Sequence, residues 1–243
     1  MTNILKNKNI LVVEDEQEIA ELVKMHLRDF GVNVKVAPNG NCGMEYALKR
    51  RWDLIVLDIQ LPGPSGLDIC RNLREEQNNV PILLLTSRSS ETDMVVGLEI
   101  GADDYMAKPF GILALIARTK ALLRRVDSFA AVESETSLSS RINIRSLTID
   151  EKSRQVQLGD RKVDLTAKEF DLLLHFAKKP GQVFRRAELL DSVWGYGHEG
   201  YEHTVNSHIN RLRTKLERDP ANPEYVVTVW GVGYKMNHDA ARV

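Results

Sequence analysis

The chain has 243 residues, 43% of them hydrophobic and 28% charged, with a formal net charge of −1. That balance excludes a largely disordered chain, and the length suits two domains of roughly 100 to 150 residues each. Charge is unevenly spread: 16 Lys and Arg face 20 Asp and Glu up to Ser140, against 17 and 14 beyond it. An acidic front half suggests a metal or phosphate site, and a basic back half suggests an anionic polymer partner.

No apolar run approaches the roughly 20 residues that cross a bilayer, and the N-terminus lacks a secretory pattern, so a cytoplasmic protein without membrane contact is expected. Cys42 and Cys70 lack CxxC or Cys/His spacing and read as reduced thiols. Along the first 125 or so residues, short apolar β-rich runs alternate with helical patterns. The expected strands are Ile10–Val13, Asn33–Val36, Asp53–Leu57, Pro81–Thr86 and Asp104–Ala107. Helical spacing joins Ile19, Leu22, Val23, His26 and Phe30; it also joins Met94, Val95 and Leu98, and Leu115, Thr119, Leu122 and Leu123. Such alternation predicts a parallel sheet covered by helices on both faces, with ligands beyond the carboxyl ends of the strands.

Residues 127–140 (DSFAAVESETSLSS) lack periodicity and read as a flexible linker between a domain spanning 1–126 and one spanning 141–243. Four short alternating segments follow, Ile142–Ile144, Leu147–Ile149, Gln155–Leu158 and Lys162–Leu165, which predict a small antiparallel sheet. Thr166 to Glu169 has the form of a capping box opening a helix that stops at Pro180-Gly181. Helices are then expected over Arg186–Trp194 and from Tyr201 to Arg218. Strands Tyr225–Val229 and Gly233–Met236 flank a Trp230-Gly231 turn. Three helices followed by a β-hairpin make a winged-helix arrangement.

The chemistry concentrates at the strand ends: Glu14 and Asp15 after the first, Asp58 after the third, Thr86 after the fourth, Lys108-Pro109 after the fifth. Carboxylates converging on one sheet edge repel one another and raise one another's pKa, so the cluster calls for a hard divalent ion, Mg²⁺. A carboxylate is a usable nucleophile toward phosphorus when a metal and a lysine neutralise charge on the phosphoryl oxygens. A haloacid-dehalogenase-type phosphatase would want a second Asp where this chain has Gln60. Neither GxGxxG nor GxxxxGK[ST] follows any strand, which argues against a nucleotide site.

The motifs VVEDE, VLDIQLPGPSG, LLLTS and ADDYMAKPF together resemble the receiver domain of two-component response regulators over residues 8 to 125. The resemblance implies that Asp58 accepts a phosphoryl group from a sensor histidine kinase. Asp15, Asp58 and the backbone carbonyl of Gln60 would hold magnesium, with Glu14 orienting a metal-bound water. Thr86 and Lys108 would bind the phosphoryl oxygens, Tyr105 would turn inward once Thr86 has moved, and Pro109 marks a cis-peptide position. Self-transfer and slow autodephosphorylation are then the only chemistry expected, so the chain is not read as an enzyme. A dimer face is implied around Asp104, Arg118 and Arg125, with Met94, Ile100 and Ala114 where the subfamily usually carries charges.

Beyond Leu165, the segments LTAKEFDLLLHFAKKPGQVFRRAELLDSVWG, HTVNSHINRLRTKLE and TVWGVGYK resemble the effector domain of the OmpR/PhoB subfamily. From the residues alone, Asn206, Asn210, Arg213 and Lys215 fall off an apolar stripe of Val205, Ile209, Leu212 and Leu216, leaving a polar, cationic face for DNA. The resemblance adds Asn206, Ser207, Asn210 and Arg211 as candidates for base contacts, His208 and Arg213 nearer the phosphates, and Thr204 and Trp230 as further DNA-binding residues. Asparagine pairs bidentately with adenine and arginine with guanine. Trp230 stands in the wing where many relatives have a cation.

The fold implied is α/β, a flavodoxin-like five-stranded parallel receiver domain followed by an α+β winged-helix DNA-binding domain. The implied partners are a histidine kinase, double-stranded promoter DNA, RNA polymerase and a second copy of the chain after phosphorylation. A constitutive DNA-binding regulator whose receiver is a phosphorylation-independent dimerisation module stays open as the alternative.

Overall fold

The computed structural model describes residues 6–87, 97–123, 141–195 and 202–237. The chain divides into two compact units, Met1–Asp127 and Ser128–Val243. The expected linker, together with Met94, Val95, Arg125 and Tyr201, lies outside the described residues.

In the first unit, β1 (Asn9–Val13), β2 (Asn33–Ala37), β3 (Leu54–Asp58), β4 (Ile82–Ser87) and β5 (Asp104–Lys108) form one parallel sheet in the order β2-β1-β3-β4-β5. The helices α1 (Gln17–Arg28), α2 (Gly40–Lys49), α3 (Gly66–Glu75) and α4 (Ile112–Leu123) connect or flank them, and residues 97–100 are also helical. β3 is buried along its whole length and β1 and β4 nearly so, as expected when both faces of a parallel sheet are covered. β3 begins at Leu54 rather than Asp53 because the Asp53 carboxylate accepts from the Asn9 amide at 2.8 Å and so ties the strand entry to β1.

The stripe expected on α1 needs correction: Ala20, Val23 and Leu27 are buried, whereas Leu22 is exposed. Register relative to the sheet, which spacing alone does not supply, selects the face. Ser65 caps α3, with its hydroxyl accepting from the Asp68 amide at 3.2 Å while Asp68 accepts from the Ser65 amide at 3.1 Å. A Cβ on Gly66 would collide with the carbonyl oxygen of Asp58, so only glycine lets α3 start this close to the end of β3.

The second unit opens with an antiparallel sheet of β6 (Arg141–Ile144), β7 (Leu147–Asp150), β8 (Gln155–Leu158) and β9 (Arg161–Val163). β9 stops before the expected Leu165 because the Thr166 amide bonds instead to the Glu169 carboxylate at 2.9 Å, the returning half of the capping box that opens α5 (Ala167–Ala177). Next come β10 (Phe184–Arg185), α6 (Arg186–Trp194), α7 (Glu202–Leu216), β11 (Val226–Val229) and β12 (Gly233–Met236). β10, too short to show periodicity, pairs with β12 and gives a three-stranded sheet in the order β10-β12-β11. Phe170, Phe176, Trp194, Val205, Ile209, Leu212 and Met236 pack into one core, which buries the apolar stripe of α7.

Candidate functional site

The sheet order reverses at β1, and there the C-terminal ends of β1 and β3 lie side by side, in register from Ile10 with Leu54 to Val13 with Leu57. Glu14 and Asp58 are therefore neighbours, and ligand oxygens of Glu14, Asp15 and Asp58 lie within 4.8 Å of one another. β5 delivers Lys108 to the same edge. Its Nζ donates to Asp58 Oδ2 at 2.7 Å, to Glu14 Oε1 at 2.8 Å and to Glu16 Oε1 at 3.3 Å. The Gln60 amide donates to Asp58 Oδ1 at 3.2 Å. A cavity of about 690 Å³ opens over these groups, walled by Ile19, Leu22, Pro109 and Phe110 on its apolar side. The Lys108–Pro109 bond is cis.

Burial is the largest influence on Glu14. Opposed by the Lys108 hydrogen bond and reinforced by the Asp58 charge, it pushes the Glu14 pKa up to about 7. Burial acts against the charge on Lys108, but the hydrogen bonds and charges of Asp58 and Glu14 outweigh it, so the ammonium is held above its usual range. Among the described residues Glu14 Oε2 is buried with no hydrogen-bond partner, an arrangement that suits a hard cation among oxygen ligands.

Thr86 is buried one residue past the Asp58–Leu85 register pair. Tyr105 is already inside, buried beside Leu84 in register. Glu16 and Ser87 also face the cavity, and sequence reading passed over both. The signal for Glu16 was the carboxylate run Glu14-Asp15-Glu16 itself. On the expected dimer face, Arg118 Nη1 lies 3.0 Å from both carboxylate oxygens of buried Asp104, and the Tyr105 amide donates to the same carboxylate at 2.9 Å. Asp104 and Arg118 are thus paired with each other within one protomer. Ile100 is half-buried, and Met94 lies outside the described residues.

On the second unit, α7 and the β11–β12 hairpin form the helix-and-wing arrangement, and several of the residues expected at DNA have partners or burial within the unit. Thr204, Ser207 and His208 are buried; His208 packs edge-on against Trp194 at 4.8 Å and its Nδ1 lies 2.8 Å from the Thr204 carbonyl. Arg211 Nε lies 3.2 Å from Glu169, and Lys215 Nζ donates to the same carboxylate at 2.7 Å. Arg213 donates to the Val226 carbonyl and to Thr228 Oγ1, both at 2.8 Å. These three cations hold α7 to the rest of its own unit. His203 and Asn210 are exposed and Asn206 half-buried. Trp230, at 90% exposure on the wing tip, packs against nothing in the core. Among the described residues no helix is long and apolar enough to cross a membrane, and Cys42 and Cys70 are not joined in a disulfide.

Residues 10–120 match the family model of the response regulator receiver domain, and residues 160–236 that of the transcriptional regulatory protein C-terminal domain. The DNA-binding response regulator MtrA of Mycobacterium tuberculosis is 43% identical over 228 residues, covering 94% of this chain and 96% of that protein. The uncharacterized transcriptional regulatory protein YclJ of Bacillus subtilis is 42% identical over 231 residues, covering 95% and 99%. A solved structure of a RitR mutant is similar with a TM-score of 0.71 at 28% identity, covering 95% of this chain and 99% of that one. With both domain models matched in order, and with such identity along nearly its whole length, the chain belongs to the two-component response regulators that join a receiver domain to an OmpR/PhoB-type DNA-binding domain.

Proposed function

We propose that the chain is a phosphorylation-controlled transcriptional regulator of the cytoplasm. One oxygen of Asp58 attacks the phosphorus of a phosphohistidine on a sensor kinase; the P–N bond breaks, the imidazole leaves, and an acyl phosphate remains on Asp58. The observation that carries this reading is the Lys108 ammonium, held 2.7 Å from Asp58 and 2.8 Å from Glu14, where it meets charge arriving on the phosphoryl oxygens. The donor set fits Mg²⁺, which Asp15, Asp58 and the Gln60 carbonyl would hold with Glu14 behind them, and which when bound supplies charge neutralisation for the transfer. Thr86, at the end of β4, follows the phosphoryl group, while Tyr105 already holds its inward, buried position. The unit then associates with a second copy and brings two α7 helices to half-sites about 10 to 11 bp apart on promoter DNA, where RNA polymerase is the remaining partner. The pocket's own chemistry stops at self-transfer and slow loss of the phosphoryl group, because no second carboxylate stands at Gln60 to act as general acid.

The test is intact mass and oligomeric state after incubation with Mg²⁺ and acetyl phosphate, for the wild type and Asp58→Ala. One phosphoryl group gained by the wild type alone, together with dimerisation and tighter DNA binding, is the expected result. No gain despite bound Mg²⁺ refutes it and leaves the phosphorylation-independent dimerisation module.

A further inference from the structure

Along α7, His203, Asn206 and Asn210 share one helical face at spacings of three and four residues. The two asparagines on it are held very differently. Asn206 Oδ1 accepts from Arg186 Nε at 3.0 Å and from the Tyr234 hydroxyl at 2.9 Å. A guanidinium has donors and no acceptor, so the amide atom that faces Arg186 is the oxygen, and two bonds use both of its lone pairs.

The clamp is itself supported. The Tyr234 ring lies between two guanidiniums, with Arg186 Cζ at 5.2 Å and Arg213 Cζ at 5.6 Å from its centroid. Arg213 is in turn anchored on β11 through Val226 and Thr228. Turning the Asn206 amide over would place its NH₂ against the Arg186 donor and lose that bond, leaving the Tyr234 hydroxyl to accept instead of donate. Among the described residues Asn206 Nδ2 has no hydrogen-bond partner, and neither does the side chain of Asn210.

We propose that Asn206 is a donor-only reader of the major groove, selecting the acceptor edge of guanine and rejecting adenine, with Arg186 and Tyr234 as the positioning residues that set this orientation. The inference rests on the DNA-binding reading and deepens it. Bidentate pairing of asparagine with adenine needs donation to N7 and acceptance from the N6 amino group. Here the acceptor is already occupied, so adenine presents an amino group to another amino group. Guanine presents two adjacent acceptors, N7 and O6, and suits the free NH₂. Asn210, untethered, can present either atom and carries no such restriction.

The experiment uses the full-length chain treated with Mg²⁺ and acetyl phosphate. Selection from a randomised duplex pool defines its site, and anisotropy titrations then measure duplexes carrying each of the four base pairs at each position. The wild type is expected to show a position where guanine is favoured over adenine by about 10-fold, with the preference falling below about 2-fold in Asn206→Ala and other positions unchanged. Arg186→Met, which lets the amide turn, narrows the gap by admitting adenine. Tyr234→Phe keeps the ring and leaves Arg186 to hold the oxygen but frees one of its lone pairs, so it narrows the gap less than Arg186→Met does; thermal melts establish that each variant is folded.

The proposal is overturned if adenine is preferred at the Asn206-dependent position, or if the base ranking survives Asn206→Ala. It is also overturned if Asn206→Ala weakens every duplex equally, which marks a phosphate contact. A folded wild type that selects no sequence from the pool overturns the DNA-binding reading and this inference with it, whereas each of the other outcomes leaves that reading standing.

Discussion

Replacing Glu169 with glutamine is expected to destabilise the second unit by about 2 to 3 kcal/mol, because the carboxylate is 1% exposed and faces two cations. One oxygen accepts from the Thr166 amide at 2.9 Å and from Lys215 at 2.7 Å, while the other lies 3.2 Å from Arg211. Glutamine keeps the size but removes the charge. Stranding a buried charge typically costs about 3 to 5 kcal/mol. The lower figure applies because the Lys215 side chain, at 32% exposure, can turn toward water, whereas that of Arg211, at 13%, cannot do so readily. For a unit of this size the loss corresponds to a fall in Tm on the order of 10 °C.

Urea unfolding followed by tryptophan fluorescence reads the change, since Trp194 lies in the same core. Burial alone would raise the Glu169 pKa, but the charges of Arg211 and Lys215 prevail and hold it below its ordinary 4.5. Its contribution is therefore present above about pH 4.5 and lost as pH falls through the depressed folded value. The wild type should lose that increment in acid, and the glutamine variant should lack it at every pH. A destabilisation under about 0.5 kcal/mol at pH 7, the scale of an ordinary surface substitution, would refute the assignment of Glu169 as the anchor of α7.

Two further outcomes concern the first unit. With Glu14 titrating near 7 and metal binding needing deprotonated ligands, Mg²⁺ affinity measured by calorimetry should rise between about pH 6 and 8, and the rise should vanish in Glu14→Gln; a pH-independent affinity in the wild type contradicts the burial argument. Without metal the sign reverses: folded Glu14 holds its proton more tightly than unfolded chain does, so its contribution to stability is greatest below 4.5 and is lost as pH climbs to about 7. Gly66→Ala should cost about 1 to 3 kcal/mol by forcing α3 away from the Asp58 carbonyl, and should slow labelling by acetyl phosphate. A variant with wild-type stability and labelling rate would show that the loop yields freely.

The acid pocket was legible in sequence because each of its members follows a buried apolar run, and parallel strands of similar length carry such residues to one edge. What sequence could not supply was rotation. Leu22 fits the stripe of α1 as well as Val23 does, yet it lines the cavity while Ala20 joins the core. Lys168 on α5 is buried, its Nζ 2.7 Å from the Val193 carbonyl and 5.1 Å from the Trp194 ring. Its long stem packs while the ammonium finds a carbonyl and an aromatic face, and neither partner lies within a helical turn in sequence. The pairing of Asp104 with Arg118 likewise depends on the sheet bringing β5 and α4 together.

The same limit decides how the basic surplus of the second unit should be understood. An amphipathic helix with Arg211, Arg213 and Lys215 off its apolar stripe invites the reading of a cationic face on phosphates, and each cation bound to a phosphate would steepen the slope of log K against log salt by about 0.9. In the folded unit Arg211 and Lys215 are instead engaged by Glu169, and Arg213 by β11. Taking any of them to a phosphate means giving up a buried partner, at a cost larger than a screened contact in water returns. Lys215→Met is therefore expected to lower stability while leaving the salt slope of DNA binding unchanged within about 0.3, and a slope shallower by about 0.9 would show that Lys215 leaves Glu169 for the DNA backbone. On the proposed reading, sequence preference then falls to the neutral amides of Asn206 and Asn210, while Arg211 and Lys215 tie α7 to Glu169 and Arg213 ties it to β11.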